Sequence, residues 1–273
     1  MMSRCIAFLA LASLALTSCV AIAPRTSVTA RLDTAIAGSH RPDADRVRDV
    51  HRHPRETLLF FGLHPNQTVV EVLPIGGWYT RIIAPVVRDR GRYVAAMPAV
   101  AAGNANSERG RKAYLDLLAA TPELFDQVVV ADFDTAKGGM VPDGTADMVL
   151  TFRNIHNWMA AQQAEAAFRT MFRALKPGGT LGVVEHRGNE AVAQDPRARS
   201  GYVNQSYAIR LVESVGFKLI GTSEVNANPK DTKDYPGGVW TLPPVLASGE
   251  MDRAKYLAIG ESDRFTLKFV KPR

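Results

Sequence analysis

The chain has 273 residues, 46% of them hydrophobic and 22% charged. Against a typical domain of ~150 residues this fits one large domain with appendages, and it excludes a disordered tail protein, a collagen, a coiled coil and a polytopic membrane protein. The formal charge of +6 comes from scattered Lys and Arg, which suits an anionic neighbour such as a lipid surface without calling for nucleic acid, and two cysteines, Cys5 and Cys19, exclude a disulfide framework or a Cys-ligated zinc.

Arg4 precedes an apolar run from Ile6 to Leu16, too short for the ~20 residues of a spanning helix but the length of a signal-peptide core. Leu16-Thr17-Ser18-Cys19 follows it and resembles the bacterial lipobox. That resemblance implies a lipoprotein signal peptide over residues 1–18 and a mature N-terminus at Cys19. Acyl chains on that residue would anchor the protein firmly, each buried methylene contributing roughly 0.8 kcal/mol. Ala21-Ile22-Ala23 would serve instead as the cleavage site of a plain secretory peptide. Val20 is not the Asp that commonly retains such lipoproteins in the inner membrane. The expected location is therefore the bacterial cell envelope, lipid-anchored and periplasm-facing, with the outer membrane favoured.

Residues 19–40, rich in Ala, Ser, Thr and Arg without clear periodicity, read as a tether, and residues 41–273 as the domain. Two short helices are predicted at its start, over 42–50 and 55–61. From there strands and helices alternate. Strands are expected at 68–73, 92–96, 127–131, 147–152 and 180–185, with helices at 79–87, 105–119 and 160–174. Such alternation, with continuous apolar strands, implies a parallel sheet covered on both faces, hence a doubly wound α/β fold. A helix over 203–215 and strands over 217–225 and 264–270 close the chain. The last two strands lack a packed crossover helix, which suggests an antiparallel edge hairpin.

The first strand ends in Glu71-Val72-Leu73-Pro74-Ile75-Gly76-Gly77-Trp78-Tyr79. Two adjacent glycines let a backbone approach a ligand, and the helix beyond them offers free N–H groups to a carboxylate or phosphate; the same turn would also serve with no ligand. Downstream lie Pro142-Asp143-Gly144-Thr145-Ala146-Asp147, a turn feeding the fourth strand, and Leu175-Lys176-Pro177-Gly178-Gly179, feeding the fifth. In this order and spacing the segments resemble class I S-adenosylmethionine-dependent methyltransferases over roughly 57–270. The strings Phe60-Phe61-Gly62-Leu63, Gly76-Gly77-Trp78-Tyr79-Thr80 and Thr151-Phe152-Arg153-Asn154-Ile155-His156-Asn157-Trp158 resemble a bacterial group known as "predicted methyltransferase".

The resemblance implies a Rossmann-like, doubly wound seven-stranded sheet, mostly parallel, with S-adenosyl-L-methionine across the carboxyl ends of its first strands. Glu71, Gly76, Gly77 and Trp78 would hold its methionine portion, Asp132 would lie near adenine, and Phe152 to Asn157, including Asn154, would floor the place where the activated methyl meets its acceptor. Two positions depart from the pattern. Leu73 and Ile75 stand where the family has glycines, and the second strand ends Ala95-Ala96-Met97-Pro98, where the family has a carboxylate for the ribose hydroxyls.

Methyl transfer from a sulfonium is an in-line displacement, so catalysis rests on positioning, with a base only where the acceptor must lose a proton. His156 is the candidate base, or else a cap for its loop, and Asn157 and Asn154 would orient an acceptor or satisfy backbone groups. Arg153 is a candidate for an acidic substrate group, or for a helix carboxylate. Trp158, Glu185 and His186 complete the substrate candidates, Trp158 and Trp78 as pocket walls or ordinary packing. Trp240, on a long loop, has the placing of a lid residue. His51 and His53 read as polar linker, so no metal is expected.

The leading expectation is a methyltransferase acting on a small molecule. Its competitor is an exported, lipid-anchored, non-catalytic binding module of the same architecture, because S-adenosylmethionine is made in the cytosol. Nicotinamide-dependent chemistry lacks its Gly-x-Gly-x-x-Gly.

Overall fold

In the computed structural model, residues 27–100 and 105–273 are described. Cys19, the lipobox and the alternative cleavage site lie outside them. Among the described residues no helix is long and apolar enough to cross a membrane.

Four helices precede the sheet: α1 (Val28–Ala37), α2 (Asp43–Arg46), α3 (Asp49–Arg52) and α4 (Pro54–Phe61). The first corrects the tether reading. Ser27 caps it, its hydroxyl accepting from the Ala30 N–H at 3.1 Å, and Leu32 and Ala35 are buried in one of the two large core clusters. Its apolar stripe is diluted by Ala and Thr, so in the sequence it passes for a linker. Leu32→Ala is expected to cost about 2–4 kcal/mol, the usual range for a fully buried leucine, and urea unfolding measures it. A tether would register no change.

The helix predicted over 42–50 is two single turns, α2 and α3, which fold back to serve a buried arginine. Arg41 is wholly buried. It donates to both oxygens of Asp49 at 2.7 and 2.8 Å and to the Ile36 carbonyl at 2.7 Å, and it stacks on Trp78.

The alternating region gives β1 (Thr68–Val72), α5 (Thr80–Val87), β2 (Arg92–Pro98), α6 (Ala105–Ala119), α7 (Pro122–Phe125), β3 (Val129–Phe133), β4 (Ala146–Phe152), α8 (Ile155–Ala160), α9 (Ala164–Ala174) and β5 (Leu175–His186). The chain closes with α10 (Gln205–Ser214), β6 (Lys218–Ser223), a 3-10 turn at Gly238–Thr241, α11 (Arg253–Ile259) and β7 (Arg264–Val270).

The sheet has seven strands in the order β3-β2-β1-β4-β5-β7-β6. The first five are parallel, Val70 lying between Val94 of β2 and Val149 of β4. β7 runs antiparallel to both β5 and β6, which is the predicted C-terminal hairpin. Alternate residues face opposite layers: Val69 and Met148 join the cluster beneath α1, α4 and α5, and Val70 and Val149 join the one beneath α9 and α10. Both faces are thus covered, which is why these strands are apolar throughout. Strand order reverses between β1 and β4, and an open α/β sheet leaves a crevice beyond the carboxyl ends at that point.

Candidate functional site

A cavity of about 460 Å³ occupies that crevice. Glu71, Leu73, Ile75, Gly76 and Trp78 line it from the β1 exit, Phe152, Arg153, Asn154, His156 and Asn157 from the β4 exit, and His186 from the end of β5. Most candidates from the sequence therefore meet around one hollow.

The turn after β1 keeps the shape of a glycine-rich turn with the wrong residues in it. Leu73, Ile75 and Gly77 have φ of 56°, 41° and 70°, in the left-handed region that costs an L-residue roughly 1–2 kcal/mol. A Cβ built on Gly77 would meet Leu117 at 2.6 Å, whereas one on Gly76 would meet nothing within 4 Å. Gly77 thus adopts its left-handed conformation without strain, any added Cβ being crowded only by the movable end of Leu117 on α6, and Gly76 opens onto space. Ile75 is 57% exposed and Met97 is 2% exposed within the core, so neither fills the hollow. Ile75→Gly is expected to leave Tm nearly unchanged, since about 1 kcal/mol of relieved strain is offset by the entropy of an added glycine. Calorimetry should show cofactor affinity rising several-fold as the rim clears.

Glu71, 4% exposed, accepts from the Tyr93 hydroxyl at 2.5 Å, and that hydroxyl and the Tyr114 hydroxyl each lie 2.9 Å from Thr80 Oγ1. Burial pushes the Glu71 carboxyl up to about 8, against the pull of Tyr93. At neutral pH it is therefore largely a neutral acid facing the cavity.

At the β4 exit, Arg153 has φ of 61°. Asn154 donates from Nδ2 to the Val72 carbonyl and to Thr151 Oγ1, both at 3.1 Å, tying β4 to β1. Phe152 stacks on Tyr79 with centroids 3.6 Å apart, and His156 opens α8. Its Nδ1 lies 3.1 Å from Oε1 of Glu185. Because a carboxylate can only accept, Nδ1 carries a proton, and in the neutral ring Nε2 is then the free acceptor. Glu185 is itself held by backbone N–H groups, Oε2 accepting from Ile155 at 2.6 Å and Oε1 from His186 at 2.8 Å. Glu185 is fully buried and is not among the cavity-lining residues, and its contact with the site runs through the His156 ring. The His186 ring lies beside His156, with Nδ1 2.5 Å from Ser262 Oγ, and burial together with Arg264 holds it well below the ordinary histidine range. His156, Glu185 and His186 could gather a cation, their ligand atoms lying within 4.8 Å of one another. Glu185, however, already spends its oxygens on N–H donors.

Besides Glu185 and Gly77, two more substrate and cofactor candidates, Asp132 and Trp158, are not among the cavity-lining residues. Asp132 lies inside β3, not after it, and forms an ion pair with Arg111 at 2.5 Å. The strand runs two residues further than the sequence suggests, so Asp134 takes the position beyond its end. Trp158 packs in the core against Phe133 and Phe168. Its exposed edge faces a second hollow of about 350 Å³, lined also by Leu73, Pro98, Asp134 and Thr135. Leu73 borders both hollows. Among the described residues no carboxylate stands at the end of β2; the nearby Asp134, beyond β3, spends Oδ1 on the Ala136 and Lys137 amides, and its Oδ2 lies 3.7 Å from Lys137 Nζ.

Sequence reasoning missed Arg48, Arg52 and Arg264, and it left the target of the Trp240 loop open. Arg48 and Arg52 come from α3 and its approach, Arg264 from the start of β7, and all three line the cavity. Val239, Trp240 and Pro243 to Val245 close its outer side, with Trp240 edge-on to His156 at 6.0 Å between centroids. The four-residue spacing of Arg48 and Arg52 was the one available signal. Arg264 carried none, because only the hairpin brings it here.

Comparison with known proteins agrees with this geometry. Residues 84–183 match the family model described as a methyltransferase domain. The match runs from α5 to β5 and so includes the β4 exit. No curated protein matches. Among solved structures, a S-adenosylmethionine-dependent methyltransferase from Aquifex aeolicus superposes with a TM-score of 0.56 at 15% identity, covering 85% of this chain and 98% of that one. The [4+2]-cyclase SpnF gives 0.57 at 17% identity, covering 86% of each chain. The N-methyltransferase NodS from Bradyrhizobium japonicum, in complex with S-adenosyl-L-homocysteine, gives 0.52 at 13% identity, covering 91% and 100%. At these identities the likeness is one of fold, and the cyclase shows that proteins of this fold do not all carry the same kind of name.

Proposed function

We propose that the chain is an S-adenosylmethionine-dependent methyltransferase acting on a small-molecule acceptor in the cavity between the β1 and β4 exits. The observation that carries this reading is the open space over Gly76 with the buried Glu71 carboxyl beside it, at the switch point of a sheet whose stretch from β2 into β5, within residues 84–183, matches the methyltransferase domain. S-adenosylmethionine is the cofactor that this domain and fold call for, and the residues fit its amino-acid end. Glu71 would receive the ammonium, while Gly76 and the turn leave room for the backbone of the ligand. The second hollow beside Pro98 and Asp134 would take the nucleoside, with no carboxylate at the end of β2 for its ribose.

The cofactor supplies an electrophilic methyl on a sulfonium. The chain's own part is to hold an acceptor in line and to remove its proton where it has one to lose. His156 Nε2 is the bare nitrogen available for that proton, and Glu185 stabilises the imidazolium that results. Asn157 at the cavity edge orients the acceptor, His186 and Trp240 flank it, and the Trp240 loop excludes water.

Titration calorimetry with S-adenosylmethionine, S-adenosylhomocysteine and NAD tests the assignment. Saturable binding of the first two alone supports it, and no binding at high micromolar concentration overturns it. The altered turn and the ungripped ribose favour a second reading, a non-catalytic binding module on the same fold; a chain that binds the cofactor but transfers no methyl would support it. We further propose that Cys19 carries a lipid anchor holding the protein in the bacterial envelope. Labelling with palmitate, abolished by Cys19→Ser, is the expected result, and unlabelled wild type would exclude the anchor.

A further inference from the structure

Four guanidinium groups, those of Arg48, Arg52, Arg153 and Arg264, line the cavity. Glu261, which lies behind them, is the carboxylate that answers them. It accepts from Arg48 Nε at 2.6 Å, from Arg52 Nε at 3.2 Å, and from Arg264 Nη2, and these cations hold it far below the carboxylate range. Asp45, the other acid on this wall, is already bound to Arg81 at 3.0 Å. After one carboxylate serves three arginines, Arg48 Nη2, Arg52 Nη2 and Arg264 Nε are buried with no acceptor. Among the described residues no hydrogen bond or ion pair reaches the Arg153 guanidinium, which sits on a strained left-handed residue. Burial, with Arg264 close by, pulls Arg153 down to about 10.

Arg52 and Arg264 are buried and Arg48 and Arg153 half-buried, so this excess of positive charge is unfavourable for the fold alone, each uncompensated ion retaining part of its desolvation penalty. Folding gains no hydrogen bond from the Arg153 guanidinium, which lines the cavity where a ligand can supply the counter-charge. Guanidinium forks match the paired oxygens of carboxylates and phosphates.

We infer that the Arg48, Arg52, Arg153 and Arg264 cluster is an oxyanion subsite, and that the methyl acceptor is a small molecule bearing a carboxylate or phosphate group. This rests on the methyltransferase reading for the word acceptor, not for the site. The cofactor also has a carboxylate, so the source of the anion needs its own arm in the test.

The probes are inorganic phosphate and succinate, titrated into the chain saturated with S-adenosylhomocysteine, with Tm and calorimetric affinity as readouts. At least one anion is expected to bind saturably, raise Tm and weaken with added salt. Arg153→Met should weaken that anion by about tenfold or more and at the same time raise the Tm of the ligand-free chain, since it deletes a charge that bonds to nothing. A structural arginine would lower it. The inference is overturned if neither anion binds at tens of millimolar, if Arg153→Met binds as wild type does, or if the anion and S-adenosylhomocysteine exclude each other, which would give the cluster to the cofactor carboxylate. If the anion binds but S-adenosylhomocysteine does not, the subsite stands and the methyltransferase reading fails.

Discussion

Glu185→Ala is expected to lower stability by about 3–5 kcal/mol, a Tm loss of roughly 10 °C for a chain of this size. Four donors converge on the two oxygens: the amides of Ile155, His156 and His186 at 2.6, 3.4 and 2.8 Å and His156 Nδ1 at 3.1 Å. Removing the carboxylate leaves them buried without an acceptor, and each stranded donor costs about 1–3 kcal/mol. Glu185→Gln is the more informative variant, because it keeps one acceptor oxygen and most of the fold. Its amide no longer stabilises a protonated imidazole, so methyl transfer should fall about 10²-fold if His156 is the base. Unchanged turnover in a folded Glu185→Gln would reduce the residue to a brace for α8.

The second large effect concerns Glu71 and pH. Its carboxyl is raised from the ordinary 4.5 to about 8, so between those values the folded chain binds a proton that the unfolded chain has released. Stability therefore falls as pH rises through that window, by as much as a few kcal/mol at about 1.4 kcal/mol per unit. Glu71→Gln should flatten this part of the stability curve and make the chain the more stable of the two at pH 9. Cofactor binding reverses the sign locally, because an ammonium beside the carboxyl favours its ionised form. Binding at pH 7 should thus release up to one proton, measured as a dependence of calorimetric heat on buffer ionisation enthalpy. Proton release should vanish near pH 9, and Glu71→Gln should abolish it and weaken the cofactor at least tenfold. Heat that is independent of buffer at pH 7 would remove Glu71 from the cofactor site.

Fold class was legible because it follows from local signals. Apolar runs such as Val69 to Val72 and Met148 to Leu150, each followed by a turn and a helix, leave few arrangements other than a parallel sheet covered on both sides, and the C-terminal pair without a crossover helix implied an antiparallel edge. The strand exits are legible too, so Glu71 and Gly76 after the first strand, Arg153 and His156 after the fourth and His186 at the end of the fifth fall at the carboxyl edge of the sheet, with their roles there implied by the family resemblance. Errors came where a short-range pattern was weak. The first helix is dominated by Ala and Thr, and Asp132 was displaced from the end of its strand by two residues, enough to turn it from a ligand group into the partner of Arg111.

The architecture, the position of the crevice and the chemical kinds of residue at its rim follow from local patterns, because strand periodicity and turn residues act over a few neighbours. What those residues do depends on packing in three dimensions. Glu185 became the support of His156 through amides that α8 presents to it, and Arg48, Arg52 and Arg264, from opposite ends of the chain, became a charge cluster around Arg153. Electrostatic and hydrogen-bonding partners are chosen by distance in space, and contacts spanning 213 positions, as between Arg48 and Glu261, leave no trace in local spacing.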